Sequence, residues 1–340
     1  MKDIDVQALK LAMAKLDKDF GKNTVTFGDA LPEAVDVIPS GNFKLDMALG
    51  VGGFPKGRIV EIFGGEGLGK SLLSLSAIAE CQAAGGVAAL IDAECDVDPD
   101  WATTIGVNLE ELVLAQPEFG EQAFEILHTL IKTGLFDLIV IDSVAALTPK
   151  AELDGEMLDQ QIGAQARMMA HGLRKTRHAI LESNCCVIFT NQIRDKIGFM
   201  QQGTTSPGGR ALKFYSSVRI ELKRMGELKD SKGESIGTKV KALILKNKVA
   251  RPMKALEYNI LHGVGFSNFA MILDLAEKHG VVLKKGGGYY YKQGEDKSFA
   301  HGENDAVAFL ASDLEWVEEL KKVIFEKENV KMNGVEKIDV

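Results

Sequence analysis

The chain has 340 residues, enough for one large domain with appendages or for two or three domains. Its net charge is −8 and its apolar content is ordinary, with no run near the roughly 20 apolar residues of a membrane span. Asp3 and Asp5 beside Lys2 do not read as a secretory signal. Cys81, Cys95, Cys185 and Cys186 make no CxxC or metal-ligand spacing, and adjacent Cys185 and Cys186, in an apolar run, read as buried thiols in a reducing cytoplasm.

In chain order, Val6, Leu9, Met13, Leu16 and Phe20 recur at helical spacing and predict one amphipathic helix. Gly21 and Asn23 end it, and the stretch from Asn23 to Ser40 reads as extended, punctuated by Pro32 and Pro39. A helix with an arm buries little by itself, so it must dock on this core or on a neighbouring subunit. Candidate strands follow at Arg58–Phe63, Val87–Asp92, Leu112–Ala115, Leu138–Asp142 and Cys186–Thr190, with helical patterns at Lys70–Ala84, Gly120–Thr133 and Gly163–Ser183. This alternation predicts an α/β domain around a largely parallel sheet. Val218–Leu222 and Val240–Leu245 read as an antiparallel extension. After Ser267 the texture changes to a helix at Phe269–His279, a hairpin signal at Gly286–Gly288 and one last helix near Ala306–Glu328, a small α/β appendage.

Gly64-Gly65-Glu66-Gly67-Leu68-Gly69-Lys70-Ser71 matches GxxxxGK[ST] between a strand and a helix. Gly64 and Gly69 permit close backbone approach, and the loop amides and helix N-terminus point at phosphate oxygens. Lys70 can reach the β- and γ-phosphates of ATP, and Ser71 can hold Mg²⁺. Leu138–Asp142 is an apolar strand ending in a carboxylate, and Asp142 beside such a loop holds Mg²⁺ directly or through water. Leu90-Ile91-Asp92-Ala93-Glu94 ends in acids too. If its strand neighbours the loop strand, Glu94 can polarise an attacking water; otherwise it is a strand-end acid facing solvent, and the residues alone leave both open.

Charge is unevenly spread. Ala164–Lys254 holds 19 Lys/Arg against 6 Asp/Glu, so a basic middle sits in an otherwise acidic chain. Such an asymmetry marks an anion-binding face or merely a solvated basic one.

Several segments, in order, resemble the bacterial RecA recombinase family: Gly50–Ile62, Ile91–Glu94, Ile141–Glu152, Asn191–Arg194, Ala211–Tyr215 and Lys246–Lys248, spread over most of residues 1–300. The resemblance implies a RecA-like P-loop ATPase core at 34–267, an N-terminal polymerisation helix and arm at 1–33, and a small C-terminal α/β domain with a short tail at 268–340. It implies a DNA-dependent ATPase that filaments on single-stranded DNA, pairs it with homologous duplex and exchanges strands. Repressor-type and loader or mediator proteins are further implied partners.

By resemblance Glu94 activates water, Gln192 senses the γ-phosphate, and Lys246 and Lys248 reach the neighbouring subunit's nucleotide, as an arginine finger does. Lys70 completes the implied catalytic set, and Asp98, Trp101 and His262 join the loop residues around the nucleotide. Two DNA loops are implied, roughly Asp154–Gly163 and Ile193–Gly209. In the second, Arg194 and Lys196 can meet phosphates, Ile197, Phe199 and Met200 can wedge between bases, and Gly198 and Gly209 admit close approach. Arg167, Arg174, Lys175, Arg210 and Lys213 match positions near the primary strand, and Arg219, Lys223 and Arg224 resemble a second-strand site.

The chain departs from the family where Trp101 and His262 replace two adenine-stacking tyrosines. It also places Gly65 and Gly67 in the phosphate loop, carries Asp195 in a second loop one residue short, and has no long acidic tail by Glu328–Val340. A phage-encoded or divergent member fits these changes. A hexameric helicase motor and a regulatory co-filament subunit are the competing readings. The DNA loops and the lysine pair weigh against the helicase, and D-loop formation separates the recombinase from the co-filament subunit.

Overall fold

The computed structural model describes residues 6–20, 25, 35–155, 163–195, 204–205, 207–230, 232–286, 288–292, 294, 297–328 and 330. The chain divides into two units, Met1–Val35 and Asp36–Val340. In the first, α1 (Val6–Phe20) follows the spacing of its apolar residues and leaves Leu9, Leu11 and Leu16 exposed.

The second unit is built on a nine-stranded sheet. In chain order its strands are β1 (Ile59–Gly64), β2 (Ala88–Asp92), β3 (Val113–Ala115), β4 (Leu138–Asp142), β5 (Cys186–Gln192), β6 (Val218–Lys229), β7 (Ser235–Asn247), β8 (Lys254–Leu261) and β9 (Gly265–Phe266). Their order across the sheet is β9-β8-β7-β6-β1-β5-β4-β2-β3. The six strands from β6 to β3 are parallel, and β7, β8 and β9 extend the sheet antiparallel. Helices α2 (Phe43–Leu49), α3 (Lys70–Ala83), α4 (Pro99–Ile105), α5 (Gly120–Thr133), α6 (Ala164–Glu182) and α7 (Ala211–Tyr215), with short helical turns at Val144–Ala146 and Lys150–Leu153, accompany it.

The central strands are apolar runs because both faces are covered. Alternate side chains enter different cores. Val60, Ile62, Leu138 and Val140 join Leu73 and Ile78 of α3, whereas Ile59, Ile139 and Ile141 join Phe124 of α5 and Leu173 of α6. The result is a three-layer αβα arrangement, as the strand–helix alternation predicts.

Strands β6 and β7 run well past the predicted Val218–Leu222 and Val240–Leu245. Their pairing continues from Val218/Asn247 to Lys229/Ser235 through two further bulges, where most side chains are exposed. The apolar pattern stops where burial stops, although the hydrogen-bond ladder continues.

A third core joins α8 (Asn268–Lys278), α9 (Glu303–Ser312), α10 (Leu314–Lys327) and a three-stranded antiparallel sheet of β10 (Val282–Lys285), β11 (Tyr289–Lys292) and β12 (Ser298–His301). The hairpin signal at Gly286–Gly288 falls between β10 and β11. Phe43 and Met47 of α2 also enter this core. The single helix expected near Ala306–Glu328 is two, because Asp313 interrupts it and its side chain accepts the Trp316 N–H at 3.1 Å as a new N-cap. Among the described residues no helix is long and apolar enough to cross a membrane.

Candidate functional site

The parallel strands end together on one side of the sheet, and the phosphate-loop signature leaves β1 there to enter α3. A Cβ on Gly64 would meet Leu222 O at 2.6 Å; one on Gly69 would meet Ile260 Cδ1 at 2.5 Å, and Gly69 has a φ of +82°. Gly64 therefore needs glycine on space, because the obstacle is backbone, and Gly69 on its backbone angle. Lys70 Nζ donates to Gly64 O at 3.3 Å and Gly65 O at 2.8 Å, so the loop folds around its own cation. Burial lowers the Lys70 pKa, and the charges of Asp142, Glu94 and Glu66 act against that shift. Leu68 is buried, while Glu66, Gly67 and Ser71 face outward.

The acids converge by a less direct route than the sequence suggests. The strand leading to Glu94 is not the neighbour of the loop strand, since β5 and β4 stand between β1 and β2. Glu94 instead accepts a short hydrogen bond from buried Ser143, which follows Asp142 on β4. Asp142 lies opposite Asp92 and accepts from Thr190 of β5. Gln116 Nε2 donates to Asp92 Oδ2 at 3.2 Å. Among the described residues no three His, Cys, Asp or Glu could by themselves hold a metal ion.

Gln192 ends β5 directly opposite Gly64, the first loop glycine. Beside it lies a buried polar network that the sequence reading missed. Asn191 Nδ2 donates to Glu61 Oε1 and to Pro207 O, both at 3.3 Å, and Arg219 forms a short ion pair with Glu61 Oε2. Glu61 is 1% exposed. Gln165 on α6 adds a second tie, accepting Gly208 N–H at 3.1 Å while donating to Val144 O and Leu147 O. The returning end of the second loop is thus bonded to the strand that carries the phosphate loop. Only the Glu61 within an otherwise apolar β1 hinted at this.

Of the proposed base-stacking residues, one lies on α4, which packs on α3, and the other just beyond β8. Trp101 lies on α4, half-buried against the first core, and Asp98 caps that helix by accepting the Trp101 N–H at 3.2 Å. His262 follows β8, donates its N–H to Ile236 O and is exposed. The neighbouring Ile260 is the residue that presses on Gly69.

Of the implied DNA residues, Lys196, Ile197, Gly198, Phe199 and Met200 lie outside the described residues, as does 156–162 of the first loop. Arg194 begins a two-residue strand, Arg194–Asp195, that pairs with Thr204–Thr205. Gly209 returns against α6, where a Cβ on it would stand 2.8 Å from Ala166 Cβ. Arg210 and Lys213 are exposed around α7, and Arg167, Arg174 and Lys175 lie on α6, Lys175 paired with Glu125 at 2.6 Å. Lys223 pairs with Glu221 at 3.1 Å. One expectation changes. Arg219 is not a surface cation but is 8% exposed, sealed under Phe63 and against Glu61. Arg224 is exposed, and a Cβ on Gly67 would stand 3.6 Å from its Nη2.

Lys246 and Lys248 lie elsewhere. Strand β6 runs from Val218 beside Val60 to Leu222 beside Gly64, about 13 Å of strand. Lys246 lies opposite Arg219 and Asn247 opposite Val218, so the pair occupies the strand-start end, away from the chain's own loop. Lys246 Nζ donates to Lys213 O at 2.9 Å and Phe214 O at 3.0 Å. Burial, then the charges of Lys248 and Arg219, lower its pKa. Phe214 beside it is exposed.

Comparison with known proteins agrees with this geometry. The RecA N-terminal domain family matches residues 7–267. Protein RecA of Corynebacterium efficiens is 47% identical over 94% of this chain and 83% of its own length. Protein RecA of Campylobacter jejuni is 47% identical over 95% and 94%, and that of Acinetobacter baylyi 45% over 96% and 93%.

Proposed function

This chain belongs to the RecA family, and from that premise we propose how its parts divide the work of a DNA-dependent ATPase and recombinase. The protein binds nucleotide and DNA and assembles with copies of itself. We assign the polymerisation helix and arm to 1–33, the ATPase and DNA-binding core to 34–267 and a C-terminal domain to 268–340.

ATP is the proposed nucleotide. A GxxxxGK[ST] loop between strand and helix, with Lys70 folded into it, fits a triphosphate. Ser71 and Asp142 would hold Mg²⁺ together with phosphate oxygens. When bound, the ion neutralises charge on those oxygens. Glu94, oriented by Ser143, takes the proton of the attacking water. Gln192, level with Gly64, reads the terminal phosphate. The Glu61–Asn191 bonds carry a shift of β1 or β5 to Pro207 and so to the second loop.

The observation that carries the reading is the separation of the lysine pair from the loop. Lys246 and Lys248 serve a nucleotide only if it belongs to a neighbouring subunit, which makes assembly a condition of turnover. Single-stranded DNA runs along the inner loops, contacted by the cations of α6 and α7, and base pairing supplies specificity. The cytoplasm is the proposed compartment, and repressor-type and loader proteins are proposed partners.

The test is ATP hydrolysis with and without single-stranded DNA across a salt series. Strong stimulation that fades as salt rises is expected, because phosphate contacts release counterions. Hydrolysis indifferent to DNA would favour an accessory ATPase.

A further inference from the structure

We propose that Gln165 is a positioning residue that couples the second loop to Glu94, so that DNA held by the loop sets the orientation of the water-activating carboxylate. The inference rests on the reading above, in which Glu94 activates water and the second loop binds DNA. One side-chain amide touches both sides. Gln165 stands half-buried in the first turn of α6. Its Oε1 accepts the Gly208 N–H at 3.1 Å, and its Nε2 donates to Val144 O at 3.0 Å and Leu147 O at 3.2 Å. Two carbonyls can only accept and one N–H can only donate, so this is the amide orientation that satisfies all three.

Gly208 belongs to the returning end of the second loop. Val144 opens and Leu147 closes the short helical turn that follows Ser143, and Ser143 donates the short hydrogen bond to Glu94. The path from loop to carboxylate therefore runs Gly208, Gln165, Val144, Ser143, Glu94, and each step is a hydrogen bond or a peptide bond. The turn moves as a unit, because Ala146 N–H is bonded to Ser143 O at 3.1 Å and Leu147 N–H to Val144 O at 3.2 Å. It is also packed directly on the loop. A Cβ on Gly208 would stand 2.9 Å from Val144 Cγ1 and 3.2 Å from Met169 Cγ. Ser143 and Val144 are buried, and a close-packed turn has little room to stay in place when its neighbour shifts. This route differs from the one through Asn191. The Asn191 bonds reach Glu61 on the phosphate-loop strand, whereas Gln165 reaches the support of the base. A residue that only steadied the turn would need the two carbonyl bonds and not the bond from Gly208.

The experiment measures kcat and KM for ATP, with and without single-stranded DNA, in the full chain. Gln165→Met keeps the side-chain length and removes all three bonds. It is expected to lower the ratio of DNA-stimulated to unstimulated kcat about tenfold, the scale of one or two lost hydrogen bonds, with KM for ATP and DNA affinity near wild type. Gln165→Glu keeps an acceptor for Gly208 but loses the donors to the turn, and a similar loss is expected. A double-mutant cycle with Ser143→Ala tests the path: once Ser143 is gone, Gln165→Met should reduce the ratio little further. A merely structural role would lower the melting temperature and leave the ratio alone. The proposal is overturned if either variant, folded by thermal melt, keeps the wild-type ratio, if the two losses multiply in full in the double variant, or if the loss is confined to DNA affinity. Should Gln165→Met not fold, Gln165→Glu decides by the same criteria. Glu94→Gln separates the levels. Wild-type turnover in that variant removes both readings; lost turnover there, beside an unchanged ratio in the Gln165 variants, removes this inference alone.

Discussion

The two ends of the central sheet differ in how complete they are. At the carboxyl end of the parallel strands, cation and acids answer each other: Lys70 folds back on loop carbonyls, Glu94 is held by Ser143, and Asp142 by Thr190. At the opposite end, Lys246, Lys248, Arg58, Arg174 and Arg177 gather without carboxylate partners among the described residues. The first end is built to hold a ligand by itself. The second has charge waiting for an anion brought by something else, a neighbour's nucleotide for the lysine pair. On this reading one chain carries two halves of a nucleotide site that only assembly joins.

The sharpest way to test the self-sufficient end is Glu94→Gln. It should cut turnover about 10²- to 10⁴-fold while filaments still form on single-stranded DNA, as steady-state hydrolysis and electron microscopy would read. Wild-type turnover in that variant would remove Glu94 from the mechanism.

The waiting end is broken by Lys246→Ala, with a loss of about 10²- to 10³-fold in DNA-dependent hydrolysis and no change in nucleotide binding by the unassembled chain. Mixing Lys246→Ala with Lys70→Ala subunits should then restore hydrolysis above either alone, because one supplies the loop and the other the lysines. No restoration at any mixing ratio would place both functions within one subunit and sink the comparison.

The link between the ends runs through Glu61. Glu61→Ala leaves Arg219 buried without its partner and should cost about 3–5 kcal/mol in urea unfolding. Arg219→Ala alone leaves the converse defect. If instead both single variants unfold like wild type, the pair does not tie β1 to β6.

The smallest effect is expected at the nucleotide's rim. His262→Tyr enlarges the exposed ring beyond β8 and should tighten nucleotide binding by about 0.5–1.5 kcal/mol, measurable by equilibrium fluorescence of a labelled nucleotide. No gain would mean that His262 does not face the base.

Much of this was legible in the sequence because it rests on local rules. The spacing of Gly64 to Ser71 states a phosphate loop before any coordinates, since GxxxxGK[ST] needs only one strand, one turn and one helix. The apolar runs of β1, β4 and β5 announce strands covered on both faces, and α5 begins and ends at the residues its periodicity predicts. The order of family-like segments pointed to the recombinase family that residues 7–267 match.

What only the tertiary structure decided are matters of pairing and direction. Strand order is invisible to periodicity, so the sequence could not say that two strands separate Glu94 from the phosphate loop, nor that Ser143 brings it back. An arginine reads the same whether exposed or buried. Arg219 reads like the exposed Arg224 until long-range pairing seals it against Glu61. The partners of the Glu61 network come from positions 130 and 158 residues away. Local spacing determines which elements form; the closing of the sheet determines which of their side chains meet, because that depends on contacts far apart in the chain.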